Sequence, residues 1–230
     1  MANAAGPNRI APLPTLVVDA ANKQSYPGTG TTWYDIIDRR ARYRFSPVVT
    51  NPTFNSSNYG NFQFNGSGYY SFNGLSNAIG NSFNLTVTGS SSASIWFKSF
   101  DNTKDFQFIF SLTNSWGVFS RSGELYYTAR ATGPTTTLAS NFTGSLSYSI
   151  VQDQWYHITM IAGATSVISV YVNGQSILSN QSISSFASAT QYQLGRNLFG
   201  NIGYFTFYRT ILNQKQVYDN YIATRGRFGV

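Results

Sequence analysis

Trp155-Tyr156-His157-Ile158-Thr159-Met160-Ile161-Ala162, then Gly163-Ala164-Thr165-Ser166, then Val167-Ile168-Ser169-Val170-Tyr171-Val172-Asn173-Gly174: this stretch decides the fold. Two runs dense in β-branched and aromatic residues flank a turn of small residues, which reads as one long antiparallel hairpin. Asn173-Gly174 tolerates positive φ at both central positions of a tight turn, so the chain should reverse again into Gln175–Leu178. Downstream, Tyr192–Leu194 and Ile202–Tyr208 read as the last strands. Asn213 is placed to cap a helix over Gln214–Ile222, with Val217, Tyr221 and Ile222 on one side.

The same rhythm runs back toward the N-terminus. Thr15–Val18 is a strand. Tyr26–Tyr34 is Gly-rich loop chemistry closing on an aromatic anchor. Phe62–Phe64 and Tyr69–Phe72 flank Asn65-Gly66-Ser67-Gly68 as a hairpin. Phe83–Val87 and Ala93–Phe100 follow as strands. Phe106, Phe108 and Phe110 alternate with Gln107 and Ile109, which predicts a strand with one aromatic face. Trp116–Ser120 and Glu124–Arg130 pair around Ser122-Gly123, and Leu146–Val151 is a short strand. Strands recurring every ~8–15 residues with turn chemistry between them predict an all-β, antiparallel β-sandwich with one short C-terminal helix.

Composition agrees. The chain has 230 residues, 17% aromatic and only 10% charged, with a single Glu at Glu124. Helices favour Glu, Lys and Ala, whereas strands favour aromatic and β-branched side chains. No shift in composition marks a linker, so residues 15–230 read as one domain. Residues 1–14 carry Pro7, Pro12 and Pro14 and read as an extended N-terminal arm. Such an arm is either a disordered terminus or a segment docked on a neighbouring subunit. The formal charge is +7, and 11 of the 15 basic residues are Arg. Cys is absent and His157 is the only His, which excludes thiolate and multi-His metal sites and Cys-His dyads. No apolar run approaches the ~20 residues of a membrane helix, so no membrane partner is expected. No signal-peptide pattern follows Met1.

These pieces, in this order, carry a family resemblance. Trp155–Met160, Tyr171-Val172-Asn173-Gly174, Leu194-Gly195-Arg196 and Gly200–Arg209, followed by the Leu212–Tyr221 helix, resemble the laminin-G-like domains of the concanavalin A-like lectin/glucanase superfamily. Leu16–Asn22, Ser25–Asp35 and the ending Asn220–Gly229 are similar to versions found in phage and large-virus virion proteins. The resemblance implies a jelly-roll sandwich over residues 15–230. It also implies a non-enzymatic accessory protein on the capsid or tail surface of a virion, made in the host cytoplasm. The expected partners are other virion proteins, including the major capsid protein, in an oligomeric assembly. The alternative is a lectin-like module that holds a host or environmental glycan.

Candidate site residues fall into two groups. Trp33 with Tyr34, and Asn114 with Trp116, place a ring beside hydrogen-bonding groups, which suits a sugar; the competing reading is that these rings are core. Arg39, Arg40, Arg42 and Arg44, with Pro7, Pro12 and Pro14, are candidates for contact with a subunit or partner. No nucleic-acid motif accompanies the arginines, so a nucleic-acid partner is not expected. The superfamily's hydrolases set two or three carboxylates on one strand. Here Asp35/Asp38 and Asp101/Asp105 are spaced as turn residues, and no catalytic residue is assigned. His157, at a strand start without a nucleophile elbow, reads as structural. No metal site or cofactor is assigned; Asp19, Asp35 and Asp101 leave calcium open, without ligand-dense spacing.

Overall fold

The computed structural model describes residues 12–37, 44–57, 60–73, 90–112, 116–129, 142–163, 166–183 and 191–230. The strand expected over Phe83–Val87 lies outside them. Among the described residues there are sixteen strands and one helix. They are β1 (Leu16–Asp19), β2 (Trp33–Tyr34), β3 (Arg44–Val48), β4 (Thr53–Asn55), β5 (Asn61–Asn65), β6 (Tyr69–Asn73), β7 (Ser91–Ser99) and β8 (Gln107–Leu112). Then follow β9 (Trp116–Arg121), β10 (Glu124–Ala129), β11 (Phe142–Ser149), β12 (Trp155–Gly163), β13 (Val167–Val172), β14 (Gln175–Ser182), β15 (Gln191–Leu194), β16 (Phe199–Tyr208) and α1 (Gln214–Phe228).

Two antiparallel sheets form the sandwich. The first runs β14-β13-β12-β7-β16-β5-β4, with β1 also paired to β16. The second runs β11-β10-β9-β8-β15-β6-β3-β2. The expected hairpin is β12–β13, with Ile158 opposite Val172 and Gly163 opposite Val167. Asn173 and Gly174 both take positive φ, 49° and 77°, and turn the chain into β14 as their chemistry requires.

Inward-facing residues of both sheets make one core. Ile95, Phe97, Ile158, Met160, Phe205 and Phe207 come from the first sheet, and Phe45, Tyr70, Phe110, Trp116, Val118 and Leu194 from the second. Edge-on ring pairs fill it, such as Phe110 with Trp116 at 5.8 Å and Phe45 with Phe205 at 5.9 Å.

The strand with one aromatic face is not observed. The β8–β9 register shifts between Phe108 and Phe110. This bulge puts Ile109 and Phe110 into the core and leaves Phe106 and Phe108 on the other side of the sheet.

The helix is longer than expected. It passes through Gly226 and ends at Gly229, whose φ of 72° is the left-handed cap that glycine supplies. Asn213 and Gln216 form a capping box at the start. Tertiary contacts override the ~1 kcal/mol helix penalty of Gly226. Phe228 stacks on Trp96 at 4.4 Å and packs against Trp155 at 4.8 Å. The Arg227 guanidinium pairs with Asp19 and donates to the carbonyls of Gly60 (3.0 Å) and Gly203 (3.2 Å). The helix thereby covers the outer face of the first sheet.

Candidate functional site

With α1 packed on the first sheet, no helix among the described residues lies on the outer face of the second sheet. Side chains alternate across a strand, so every residue between the core positions of this sheet points to that face. Phe108, Phe119, Tyr126 and Ser145 are direct cross-strand neighbours on β8, β9, β10 and β11. Phe119 lies 5.3 Å from Phe108, 5.7 Å from Phe106 at 27°, and 5.4 Å from Tyr126 at 17°. The rings form an offset terrace. Phe119 is buried within it, while Phe106 and Tyr126 are half-buried and present ring surface outward.

Phe106 holds the left-handed φ of 55°. That conformation costs a non-glycine residue ~1–3 kcal/mol and persists where surrounding structure imposes it. The strain is stored at the terrace edge.

A polar row runs alongside. Ser71, Gln193, Ser111, Gly117 and Thr128 are successive cross-strand neighbours on β6, β15, β8, β9 and β10. Gln193, Ser111 and Thr128 are only 6%, 9% and 8% exposed, a buried row of hydroxyl and amide groups beside the rings.

Charges sit at the terrace end. Glu124 accepts from Ser145 Oγ at 2.6 Å and from Tyr126 Oη at 3.0 Å. These bonds, Ser145 foremost, hold the Glu124 carboxyl below its usual pKa, and the bond to Glu124 pushes the Tyr126 phenol up. Glu124 stays ionised and Tyr126 stays a donor at neutral pH. A carboxylate has about four lone-pair sites, so Glu124 retains acceptor capacity for a ligand hydroxyl. Arg121 lies over the Phe106 ring at 5.4 Å and pairs with Asp105 at 3.3 Å.

The arrangement offers ring faces, hydroxyls, an amide and a fixed carboxylate across several strands. It suits a ligand with an apolar face and a hydroxyl-rich edge.

The residues singled out from sequence fall elsewhere. Trp33 and Trp116 are fully buried, which corrects their reading as stacking platforms. Trp33 faces inward opposite Phe45 and packs on Phe62 at 4.9 Å and Tyr70 at 5.8 Å. Tyr34 is half-buried and lies directly opposite exposed Arg44, so these two share the outer face at the β2–β3 edge. Asn114, Arg39, Arg40, Arg42 and Pro7 lie outside the described residues. Pro12 is half-buried, whereas Pro14 is buried and unavailable for partner contact.

The aspartates open to calcium are engaged locally. Asp19 pairs with Arg227, Asp35 accepts from Val17 N at 2.8 Å, and Asp101 accepts from Thr103 N at 2.9 Å. Among the described residues no three His or acidic side chains gather as a metal site. Burial drives the His157 pKa down to about 3, so the imidazole is neutral. It packs between Trp96 and Tyr221, at 5.1 and 6.1 Å.

The terrace was missed because the bulge at Ile109 hides the change of face. The signal in the sequence was Phe119 and Tyr126, two rings out of phase with the core positions of their own strands.

Among solved structures, the binding domain of botulinum neurotoxin DC in complex with SialylT is similar at 14% identity and TM-score 0.65, covering 91% of this chain and 51% of that one. A botulinum neurotoxin type C structure, from work on cell entry through two ganglioside molecules, has 13% identity and TM-score 0.63 with the same coverage. The receptor binding domain of botulinum neurotoxin type G has 16% identity and TM-score 0.62, again with 91% and 51% covered. The chain thus spans about half the length of these structures, and at such identities the likeness is one of fold. No curated protein matches the chain in sequence. A laminin-G-type family profile matches residues 64–220, more than half of the chain. The chain therefore belongs to the Concanavalin A-like lectin/glucanases superfamily, in its laminin-G-type branch.

Proposed function

We propose that the chain is a non-enzymatic, lectin-like binding module that holds a glycan on the outer face of its second sheet. The observation that carries this is the strained, half-buried terrace of Phe106 and Tyr126 over Phe119, set beside a buried Ser-Gln-Ser-Thr row. A pyranose lays its C–H face on such rings and directs hydroxyls to such a row. Botulinum neurotoxin structures of the same fold, one a binding domain solved with SialylT and one from work on cell entry through gangliosides, support this by analogy. Glycan-array binding by the chain tests it. Tyr126→Ala should lower affinity about tenfold, roughly the 1.4 kcal/mol that one ring contact supplies, while the variant still unfolds in a single cooperative transition. A chain that binds no glycan, or a Tyr126→Ala variant with unchanged affinity, would refute it.

For the place of work, we propose the surface of a virus particle, on capsid or tail, with other virion proteins as neighbours. The resemblance of Ser25–Asp35 and Asn220–Gly229 to virion proteins supports this second reading. Mass spectrometry of purified particles tests it: the chain should copurify with capsid or tail proteins, and its absence from particles would sink this placement.

A further inference from the structure

The two halves of the outer face differ in charge. Glu124 and Asp105 lie at the β8–β11 end, whereas β2, β3, β6 and β15 contain no Asp or Glu. Arg196 stands where the halves meet. Its carbonyl accepts from Phe108 N at 2.8 Å, which ties it to the first ring of the terrace. Gly195 and Asn197, with φ of 75° and 58°, bracket it in a tight turn. Phe64 fills the space beside Gly195, where an added Cβ would meet the ring at 2.4 Å, so the turn is pinned from the core side.

The guanidinium lies 6.0 Å from the Tyr69 ring centroid and 3.5 Å from Gln193 Oε1. Among the described residues it has no carboxylate partner. An Arg carries five donors in a planar fork, and stacking on an aromatic ring pre-orients that fork.

We infer that Arg196, seated on Tyr69 and braced by Gln193, is an anion subsite, and that the preferred ligand is an acidic oligosaccharide. Its carboxylate or sulfate forks onto Arg196 while a neighbouring sugar ring stacks on the terrace. This rests on the glycan-binding reading. The distance suits it: Tyr69 to Tyr126 spans four strand spacings, ~19 Å, room for several sugar residues.

The test is a glycan array printed with matched pairs: oligogalacturonates against their methyl esters, and carrageenan oligosaccharides against their desulfated forms. The carboxylate and sulfate arms show which anion is preferred. At low salt the anionic member should bind at least about tenfold tighter than its neutral twin, as a charge-assisted fork contributes. Arg196→Gln should reduce that ratio to near one, and Tyr126→Ala should weaken both members equally and leave the ratio unchanged. Equal binding of charged and neutral twins, or a preference that survives Arg196→Gln, overturns the anion subsite and leaves the glycan reading standing. Failure of every glycan to bind overturns both.

Discussion

Trp116 and Phe106 show how little ring identity says about role. Trp116 is fully buried against Phe110, so Trp116→Ala should cost about 3–5 kcal/mol in urea unfolding, as a large cavity in a core does. Phe106 is half-buried with φ of 55°. Phe106→Gly relieves that strain while losing partial packing, so its unfolding free energy should stay within about 1 kcal/mol of the parent as glycan affinity falls. A large loss of stability in Phe106→Gly would contradict the division between core and face. His157 gives a pH test. Its folded pKa of about 3 lies below its ordinary 6.5, so the unfolded chain takes up the proton first as pH falls. Stability is full above pH 6.5 and is lost toward pH 3, by roughly 1.4 kcal/mol per unit. Urea midpoints from pH 7 to pH 4 should fall more steeply in the parent than in His157→Phe; parallel slopes would refute the assignment.

Helix α1 is the element that closes the molecule. Arg227 and Asp19 are 18% and 20% exposed, and Arg227 also serves two backbone carbonyls. Arg227→Ala leaves Asp19 without its cation and should cost about 2–3 kcal/mol, read by thermal or urea unfolding. A loss under 0.5 kcal/mol would show that the tail does not lock the fold. The Arg225–Val230 ending has this structural duty. Elements with strong local chemistry were legible from sequence: the Asn173-Gly174 turn, the Asn213 cap and the β12–β13 hairpin. The helix end was not, because only Trp96, Trp155 and Asp19, far away in the chain, carry the helix past Ile222. The bulge in β8 was not legible either, since strict Phe alternation hides one extra residue. The site was hardly legible at all. Trp33 in a Gly-rich loop reads as accessible, yet its inward register opposite Phe45 is set by sheet pairing that no local pattern reveals.

At the scale of the whole molecule, one sheet carries a helix on its outer face, and among the described residues the other carries rings, hydroxyls and arginines there. The outer face of the second sheet holds Phe106, Phe108, Phe119 and Tyr126 in the terrace, with Tyr69 and Tyr34 beyond it. The most direct test of this account is an NMR titration of the isotope-labelled chain with whichever oligosaccharide binds best on the array. The predicted result is a set of shifted amides confined to β8, β9, β10, β15 and the Gly195–Asn197 turn. Shifts centred on α1 and the first sheet, or at the β2–β3 edge without the terrace, would contradict it.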